Sequence, residues 1–330
     1  MSGPESIRPA DVVTLGESMV LLQPLADGPL ASAPLFTRSI AGAESNLAIG
    51  LSRLGMRVRW ISRLGDDPFG DLIQSTLAGE GIDVSLAERD ANAPTSVYFK
   101  EFKGYGDPNV YYYRRGSAVS KWTPEHVRPD WFDSARHLHV TGITPALGAG
   151  TADAIRAAMR QARESGLTVS FDPNLRRKLW SEDEARRTLL SLIPLCDVFM
   201  PGIEEAEFLA GAMEEEAYGA HFLGLGAQTV ALKLGEEGSA GFTSGTAVRA
   251  KGHAVNRVVD TVGAGDAFAA GFLSSWLNGA AADEETRLGD ALARANLMGA
   301  LAVQYKGDWE GLPKLRELER MLAGRQSATR

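Results

Sequence analysis

The chain has 330 residues, 44% of them hydrophobic and 23% charged, a composition typical of a globular domain. Its net charge of −8 disfavours nucleic acid and anionic membranes as partners, and no apolar run approaches the roughly 18 residues of a membrane span. The single Cys196 excludes an intramolecular disulfide and a cysteine zinc site, and its apolar neighbours predict a buried thiol in a reducing, cytoplasmic compartment.

Segments rich in β-forming residues alternate with longer segments of helical period along a single predicted domain, residues 11–323, between flexible ends at 1–10 and 324–330. Strands are predicted at 12–15, 57–63, 136–140, 167–171, 197–200 and 228–234, and helices at 44–54, 68–80, 149–165, 181–193, 264–277 and 284–304. This alternation predicts an α/β fold with a mainly parallel central sheet and helices on both faces.

Residues 94–117 interrupt the alternation. Two aromatic segments flank a glycine-rich turn with no helix between them, which predicts a β-hairpin. Because side chains alternate along a strand, Tyr112 and Arg114 should share one face, within reach of Tyr98 on the preceding strand. The hairpin predicts a small β appendage over one edge of the domain.

The segment from Asp260 to Asp266 (DTVGAGD) leads directly into an apolar helical pattern. The glycines and the alanine at 263–265 expose successive backbone N–H groups at a helix start, which favours binding of an anion such as phosphate. An aspartate in an anion site repels the anion unless it accepts a proton from an attacking nucleophile. The alternative is that Asp266 only caps the helix and the glycines only permit a tight turn.

Other phosphate-binding and metal motifs are absent from the sequence. It contains no Gly-Lys dipeptide, and hence no P-loop, and no G-x-G-x-x-G dinucleotide motif. Its five histidines are scattered, which favours structural roles over a metal site.

The DTVGAGD segment followed by Ala-Phe resembles the second signature of the ribokinase-like (PfkB) carbohydrate kinases. Further matches extend from Gly16-Glu17 to Asn296 and include G-D-D-P-F-G at 65–70 and K-x-G-x-x-G at 233–238. The resemblance implies a ribokinase-like fold with a small β lid formed by 94–117 and parts of 16–40, and a homo-oligomer assembled through that lid. It also implies that Asp266 is the catalytic base, that Gly263, Ala264 and Gly265 form the anion hole, and that ATP and a sugar are the small-molecule partners.

The first family signature carries an unusual glutamate in this chain, Glu44, two residues before Asn46. G-A-E-x-N resembles the branch that acts on 2-keto-3-deoxygluconate, and the segments 110–118, 172–180 and 307–313 agree with that branch. An acid sugar needs a guanidinium for its carboxylate and short polar groups for its hydroxyls. The substrate residues implied are Gly42, Glu44, Asn46, Tyr98, Tyr112, Arg114, Arg176 and Asp308.

Several of these substrate residues also have a simpler interpretation. The tyrosines can form an aromatic interface beside a solvated Arg114, Asn46 can cap a helix, and Asp308 can lie in an exposed turn. Arg176 can bind either the substrate or the transferring phosphoryl group.

On the nucleotide side, the resemblance implies contacts from Asn174, Lys233, Gly235, Gly238 and Asn296. Mg²⁺ is expected with the triphosphate, and a monovalent cation is left open. The family motif N-x-x-E lacks its asparagine here, but its glutamate, Glu205, is expected to hold the metal indirectly, the alternative being a solvated carboxylate at a helix start.

Three functions are consistent with these residues. The first is ATP-dependent phosphorylation of the terminal, 6-hydroxyl group of 2-keto-3-deoxygluconate. The second is phosphorylation of another sugar such as fructose, and the third is a sugar-sensing module without catalysis. The intact Asp266 and its glycines disfavour the third, and fold alone does not separate the three.

Overall fold

The structure, a computed structural model, describes residues 8–102, 109–279 and 283–322. The hairpin turn at 103–108 and the predicted flexible ends at 1–7 and 324–330 lie outside the described residues. Within the predicted flexible start, Ala10 is buried and its amide donates to the carbonyl of Ser134, at 3.1 Å. The described part of the chain contains no helix with the length and apolarity needed to cross a bilayer.

The described residues form fourteen strands and nine α-helices. The strands are β1 (Val12–Leu15), β2 (Met19–Pro24), β3 (Phe36–Ala41), β4 (Val58–Ile61), β5 (Arg63–Gly65), β6 (Glu88–Asp90), β7 (Val97–Glu101), β8 (Asn109–Tyr113), β9 (His137–Thr141), β10 (Thr168–Asp172), β11 (Val198–Phe199), β12 (Thr229–Lys233), β13 (Gly238–Phe242) and β14 (Ala247–Lys251). The helices are α1 (Ala43–Arg53), α2 (Pro68–Gly79), α3 (Thr151–Glu164), α4 (Glu182–Leu192), α5 (Ile203–Ala210), α6 (Glu215–Gly224), α7 (Ala264–Trp276), α8 (Glu284–Ala302) and α9 (Leu315–Leu322).

The main sheet has eight strands in the order β14-β13-β12-β11-β10-β9-β1-β4. The six strands from β12 to β4 are parallel, whereas β13 and β14 are antiparallel. Consecutive residues of a strand belong to opposite hydrophobic clusters: Val12 packs with α1, α2, α7 and α8, and Val13 packs with α3 to α6. The predicted α/β class, with helices on both faces of a mainly parallel sheet, is confirmed.

Two departures from the predicted strands have local causes. The single strand predicted at 57–63 is divided at Ser62, whose hydroxyl donates to the carbonyl of Gly16 at 2.7 Å, and β5 then leaves the main sheet to pair with β6. The strand β13 was not predicted, because its sequence, GSAGF, has few β-forming side chains. Its Gly241 leaves space for the leucines of α8 to pack closely.

A second sheet contains four strands in the order β3-β2-β7-β8. The strands β7 and β8 form the predicted hairpin and pair antiparallel, and Tyr98 lies directly opposite Tyr112, so the two rings share one face as predicted. One face of this sheet is buried and includes Leu21 and Tyr98. The other face exposes Phe36 and Tyr113. The buried face therefore forms one wall of a cleft against the main domain.

Candidate active site

Two cavities meet at the first turn of α7, beside the carboxyl ends of the parallel strands. The first, called here the α8 cavity, has a volume of about 410 Å³ and includes Ala264 and Gly265 in its walls. The second, called the sheet cleft, has a volume of about 90 Å³, lies against the second sheet and includes Asp266. Open α/β sheets bind ligands at this edge. Adjacent residues of one helical turn thus face two different cavities.

The turn before α7 requires glycine at residue 263. Gly263 has φ +84°, in the left-handed region, and a Cβ at this position would collide with the carbonyl oxygen of Asp308. The first N–H groups of an α-helix have no partner within the helix, and the helix dipole adds partial positive charge there. The arrangement around Gly263, Ala264 and Gly265 can therefore bind an anion.

Asp266 is buried in the first turn of α7 and is held by two side-chain amides. Asn46 Nδ2 donates to Oδ2 at 2.8 Å, and Asn174 Nδ2 donates to Oδ1 at 3.2 Å. Burial raises the pKa of Asp266, while the hydrogen bond from Asn46 and the charge of Arg176 oppose that rise. Gly263, not Asp266, occupies the cap position of α7. The carboxylate is thus oriented by Asn46 and Asn174, with increased basicity.

The sheet cleft brings together most of the residues predicted to bind the sugar. Tyr98 and Tyr112 stack with ring centroids 5.6 Å apart, and the Tyr98 hydroxyl donates to Asp308 at 3.1 Å. Gly42 allows the start of α1 to approach the carbonyl of Glu17, where a Cβ would collide. The predicted residues in the cleft are Gly42, Asn46, Tyr98, Tyr112, Arg114, Arg176, Asp266 and Asp308.

Arg114 is neither solvated nor free of a partner. Its Nε and Nη2 lie 2.8 and 2.6 Å from Glu17 Oε2, and its guanidinium lies over the ring of Tyr112. The hydroxyls of Ser96 and Ser117 donate to the other oxygen of Glu17, each at 2.6 Å. Glu17 was not predicted as a site residue. The charge of Arg114 is therefore balanced within the protein, and one edge of its guanidinium is occupied.

Arg176 differs from Arg114 in both exposure and pairing. It is exposed beside the sheet cleft, and among the described residues no carboxylate lies within ion-pair distance of it. Its charge lowers the pKa of Asp266, so it lies close enough to influence that carboxyl group. Within the described ranges, no ion pair therefore balances the charge of Arg176 at the sheet cleft.

Glu44 lies beneath the sheet cleft and is absent from its walls, in contrast to its predicted role in substrate contact. Its Oε1 accepts hydrogen bonds from Thr141 at 2.7 Å and from Thr144 at 3.2 Å, and Gly16 packs against its carboxyl group. Burial raises the pKa of Glu44 to about 7. Residues two apart on a helix project roughly 200° apart, so Asn46 faces the cleft while Glu44 faces the sheet.

The α8 cavity contains four of the five residues predicted for the nucleotide: Lys233, Gly235, Gly238 and Asn296. Asn296 Nδ2 donates to the carbonyls of Ala250 and Lys251, at 3.0 and 3.2 Å, which fixes the end of β14 against α8. The fifth residue, Asn174, is not part of this cavity.

The predicted metal residue, Glu205, uses both carboxylate oxygens at the start of α5. They accept the amides of Leu175 and Gly202, each at 2.7 Å. Lys233 Nζ lies nearby, 2.7 Å from Asp172 Oδ2. Within the described ranges no group of three or more metal-binding side chains is present. Because both oxygens of Glu205 already accept backbone amides, this carboxylate fits contact with an ion through water better than direct ligation.

Lys100, which was not predicted as a site residue, has no exposed side-chain surface. Its Nζ lies 2.7 Å from Asp260 Oδ2 and 2.7 Å from Asp308 Oδ1. The available signal was its spacing: Tyr98 and Lys100 are two apart on one strand and therefore share the buried face. A lysine at such a position needs an anionic partner.

The sequence matches one family of proteins and is similar to two named kinases. A profile of the family described as "pfkB family carbohydrate kinase" matches residues 9–315. The 2-dehydro-3-deoxygluconokinase of Bacillus subtilis (strain 168) is 43% identical over 96% of this chain and 97% of its own length. The 2-dehydro-3-deoxygluconokinase of Thermoproteus tenax is 37% identical, with 94% of each chain covered.

A solved structure of similar fold contains a nucleotide. It is that of a putative ribokinase II from E. coli in complex with ATP and Mg²⁺, with a TM-score of 0.86 and 27% identity. The alignment covers 96% of this chain and 99% of the other.

Proposed function

The chain belongs to the pfkB family of carbohydrate kinases, which use ATP, and from this premise we propose that it phosphorylates the terminal, 6-hydroxyl group of 2-dehydro-3-deoxygluconate (2-keto-3-deoxygluconate). The observation that carries the proposal is the position of Asp266 between the two cavities, oriented by Asn46 and Asn174. The two 2-dehydro-3-deoxygluconokinases that match nearly the whole chain support the choice of sugar.

In the proposed reaction, ATP lies in the α8 cavity and the sugar in the sheet cleft. Asp266 accepts the proton of the attacking hydroxyl, whose oxygen bonds to the γ-phosphorus as the bond from phosphorus to ADP breaks. Backbone N–H groups at 263–265 stabilise the charge on the transferring group. Lys233 contributes a positive charge beside Gly265. The products are the 6-phosphate and ADP.

We propose Mg²⁺ as the partner of ATP, supported by the ribokinase II structure that contains both. Bound to the triphosphate, Mg²⁺ neutralises charge that otherwise repels the attacking hydroxyl. Asp172, at the end of β10, and Glu205, in the first turn of α5, are the two carboxylates beside Lys233. These two residues would hold the ion through its water ligands.

The charges of the sheet cleft favour an acid sugar over a neutral one. Two arginines, Arg114 and Arg176, lie in its walls, and only Arg114 has a carboxylate partner there, Glu17. A carboxylate on the substrate would supply the partner that Arg176 lacks and could also bind the edge of the Arg114 guanidinium that Glu17 does not occupy, whereas a neutral sugar would do neither. The hydroxyls of the sugar can bond to Asn46, Asp308 and the tyrosines.

A coupled assay of ADP release tests the proposal directly. Purified protein with Mg²⁺ and ATP is given 2-dehydro-3-deoxygluconate or D-fructose, and the kcat/KM should be at least about a hundredfold higher for the acid, a difference of roughly 2.7 kcal/mol. Phosphorus NMR of the product should locate the phosphate on C6. A preference for fructose would identify a fructokinase, and no ADP release with either sugar would support a sensing module.

We propose that the second sheet acts as a lid that excludes water from the transferring phosphoryl group. The sugar would contact Tyr98, Tyr112 and Arg114 on its buried face. Adding 2-dehydro-3-deoxygluconate should therefore slow amide hydrogen exchange in β7 and β8, measured by mass spectrometry, more than in β14, which lies outside the sheet cleft. Exchange in the hairpin that is the same with and without sugar would contradict the lid.

We propose that the exposed face of the second sheet pairs with a second copy of the chain. Phe99 contacts Phe36 and Tyr113 edge to face, with centroids 5.8 and 5.7 Å apart, so an aromatic row crosses the sheet. Tyr113 is 68% exposed, and exposed aromatic rows favour association. Sedimentation velocity should give the mass of a dimer, and Tyr113→Glu should shift it toward a monomer. A wild-type monomer would contradict the pairing.

We also propose a cytoplasmic location. Its support is the single buried thiol of Cys196, which donates to the carbonyl of Ile193 at 3.2 Å, together with the dependence of the family on ATP. Fractionation of cells that express the protein tests this location, and recovery outside the cytoplasmic fraction would refute it.

A further inference from the structure

The buried ammonium group of Lys100 connects three parts of the molecule. Lys100 lies on β7 of the second sheet, Asp260 begins the turn before α7, and Asp308 belongs to the segment after α8. Burial opposes the charged form of the lysine, but the two carboxylates outweigh that effect and raise the pKa of Lys100 above its ordinary value. A full positive charge is therefore held between two negative ones.

Both carboxylates also shape the anion-binding turn. Asp260 Oδ1 accepts the amide of Val262 at 3.1 Å, within the turn itself. The carbonyl of Asp308 packs against Gly263, and its carboxylate accepts the Tyr98 hydroxyl. The positions of the turn, of Asp308 and of the second sheet therefore all depend on the charge of the Lys100 ammonium group.

Two buried carboxylates that both lie 2.7 Å from the same Nζ repel each other unless a cation lies between them. Without Lys100 that cation would have to come from solution. We propose that Lys100 is a positioning residue that acts as a built-in monovalent cation, holding the turn from Asp260 to Gly263 in its anion-binding geometry and Asp308 in place for the sugar. The inference rests on the proposed kinase function and adds a role that requires no external ion.

Chemical rescue tests the role of the charge separately from that of the side-chain volume. Lys100→Ala leaves a space lined by two carboxylates and should lower kcat roughly a hundredfold, the scale expected when a catalytic turn shifts by about 1 Å. Ammonium or methylammonium chloride should recover most of that loss, with sodium chloride at equal ionic strength as the control. The KM for ATP should change little, because Lys100 is not among the residues of the α8 cavity.

Lys100→Met is the matched variant, because it removes the same charge but fills the space. Lys100→Met should lose activity, and ammonium should not restore it. Full kcat in folded Lys100→Ala, or a loss that ammonium does not restore, would overturn the inference. Equal rescue of Lys100→Ala and Lys100→Met by ammonium would also overturn it.

The wild-type protein provides a test that does not depend on whether a variant folds. Its turnover should be the same in potassium, sodium or choline chloride, since Lys100 already supplies the cation, and a requirement for potassium would overturn the inference. A wild-type protein that releases no ADP with 2-dehydro-3-deoxygluconate would refute the proposed function instead. The two failures are therefore distinguishable.

Discussion

Replacing Asp266 with asparagine is expected to lower kcat at least a hundredfold, because removing a general base commonly costs 10²–10⁴-fold. Asparagine keeps the shape of aspartate but cannot accept the proton of the attacking hydroxyl. Affinity for ATP should remain nearly unchanged, since Asp266 is not among the residues that line the α8 cavity. Steady-state kinetics and nucleotide titration by calorimetry measure the two quantities on the same preparation.

The dependence of kcat on pH tests the role of Asp266 in a second way. Asp266 must be deprotonated to act, and burial raises its pKa, so kcat should begin to fall at a higher pH than for an ordinary aspartate as the solution is acidified. The facing charges are Arg176 and Lys233, which lower the pKa, and Asp308, which raises it. The residual activity of Asp266→Asn should lack this decrease of kcat at acidic pH.

The surface variant Asp290→Asn is the control and should retain both the turnover and its pH dependence. Near-full turnover of folded Asp266→Asn would contradict the assignment of Asp266 as the general base.

Replacing Arg114 with alanine is expected to raise the KM for 2-dehydro-3-deoxygluconate strongly while leaving weak activity on fructose little altered. Truncating one partner of a buried carboxylate–guanidinium pair typically costs about 2–5 kcal/mol, or roughly thirtyfold to several thousandfold in affinity. Arg114→Lys should recover only part of the loss, because ammonium keeps the charge but not the planar, two-pronged geometry. Steady-state kinetics of both variants on both sugars measure the effect.

Because Arg114 is paired with Glu17, the Arg114→Ala experiment needs a control for the loss of that ion pair. Removing Arg114 alone leaves Glu17, 3% exposed, without its cation, which destabilises the second sheet whatever Arg114 does for the substrate. The double variant Arg114→Ala/Glu17→Gln removes that uncompensated charge. If Arg114 binds the sugar carboxylate, the double variant should keep the high KM for the acid. An equal loss on acid and neutral sugars would instead show that Arg114 supports the second sheet.

The anion-binding turn illustrates what local sequence determines. A glycine with positive φ, small residues at a helix start and an aspartate in the first turn are properties of consecutive residues, and Gly263 to Asp266 adopt the predicted geometry. The hairpin is similar, because strand alternation predicts that Tyr112 and Arg114 share one face within reach of Tyr98, and Tyr98 and Tyr112 are cross-strand partners. The alternation of strands and helices likewise predicts the layers of the main domain.

Side-chain partnerships from distant parts of the chain were decided only by the tertiary structure. Arg114 meets Glu17 across 97 residues, and Lys100 meets Asp260 and Asp308 across 160 and 208 residues. The direction of Glu44 depends on how α1 packs on the main sheet, so the motif that contains it could not show that it faces Thr141. Backbone conformation depends largely on neighbouring residues, whereas charge pairing depends on which loops packing brings together. The sequence by itself therefore determined the conformation of the turn before α7 and the layers, and the tertiary structure decided which charges of the cleft lack a partner within the protein.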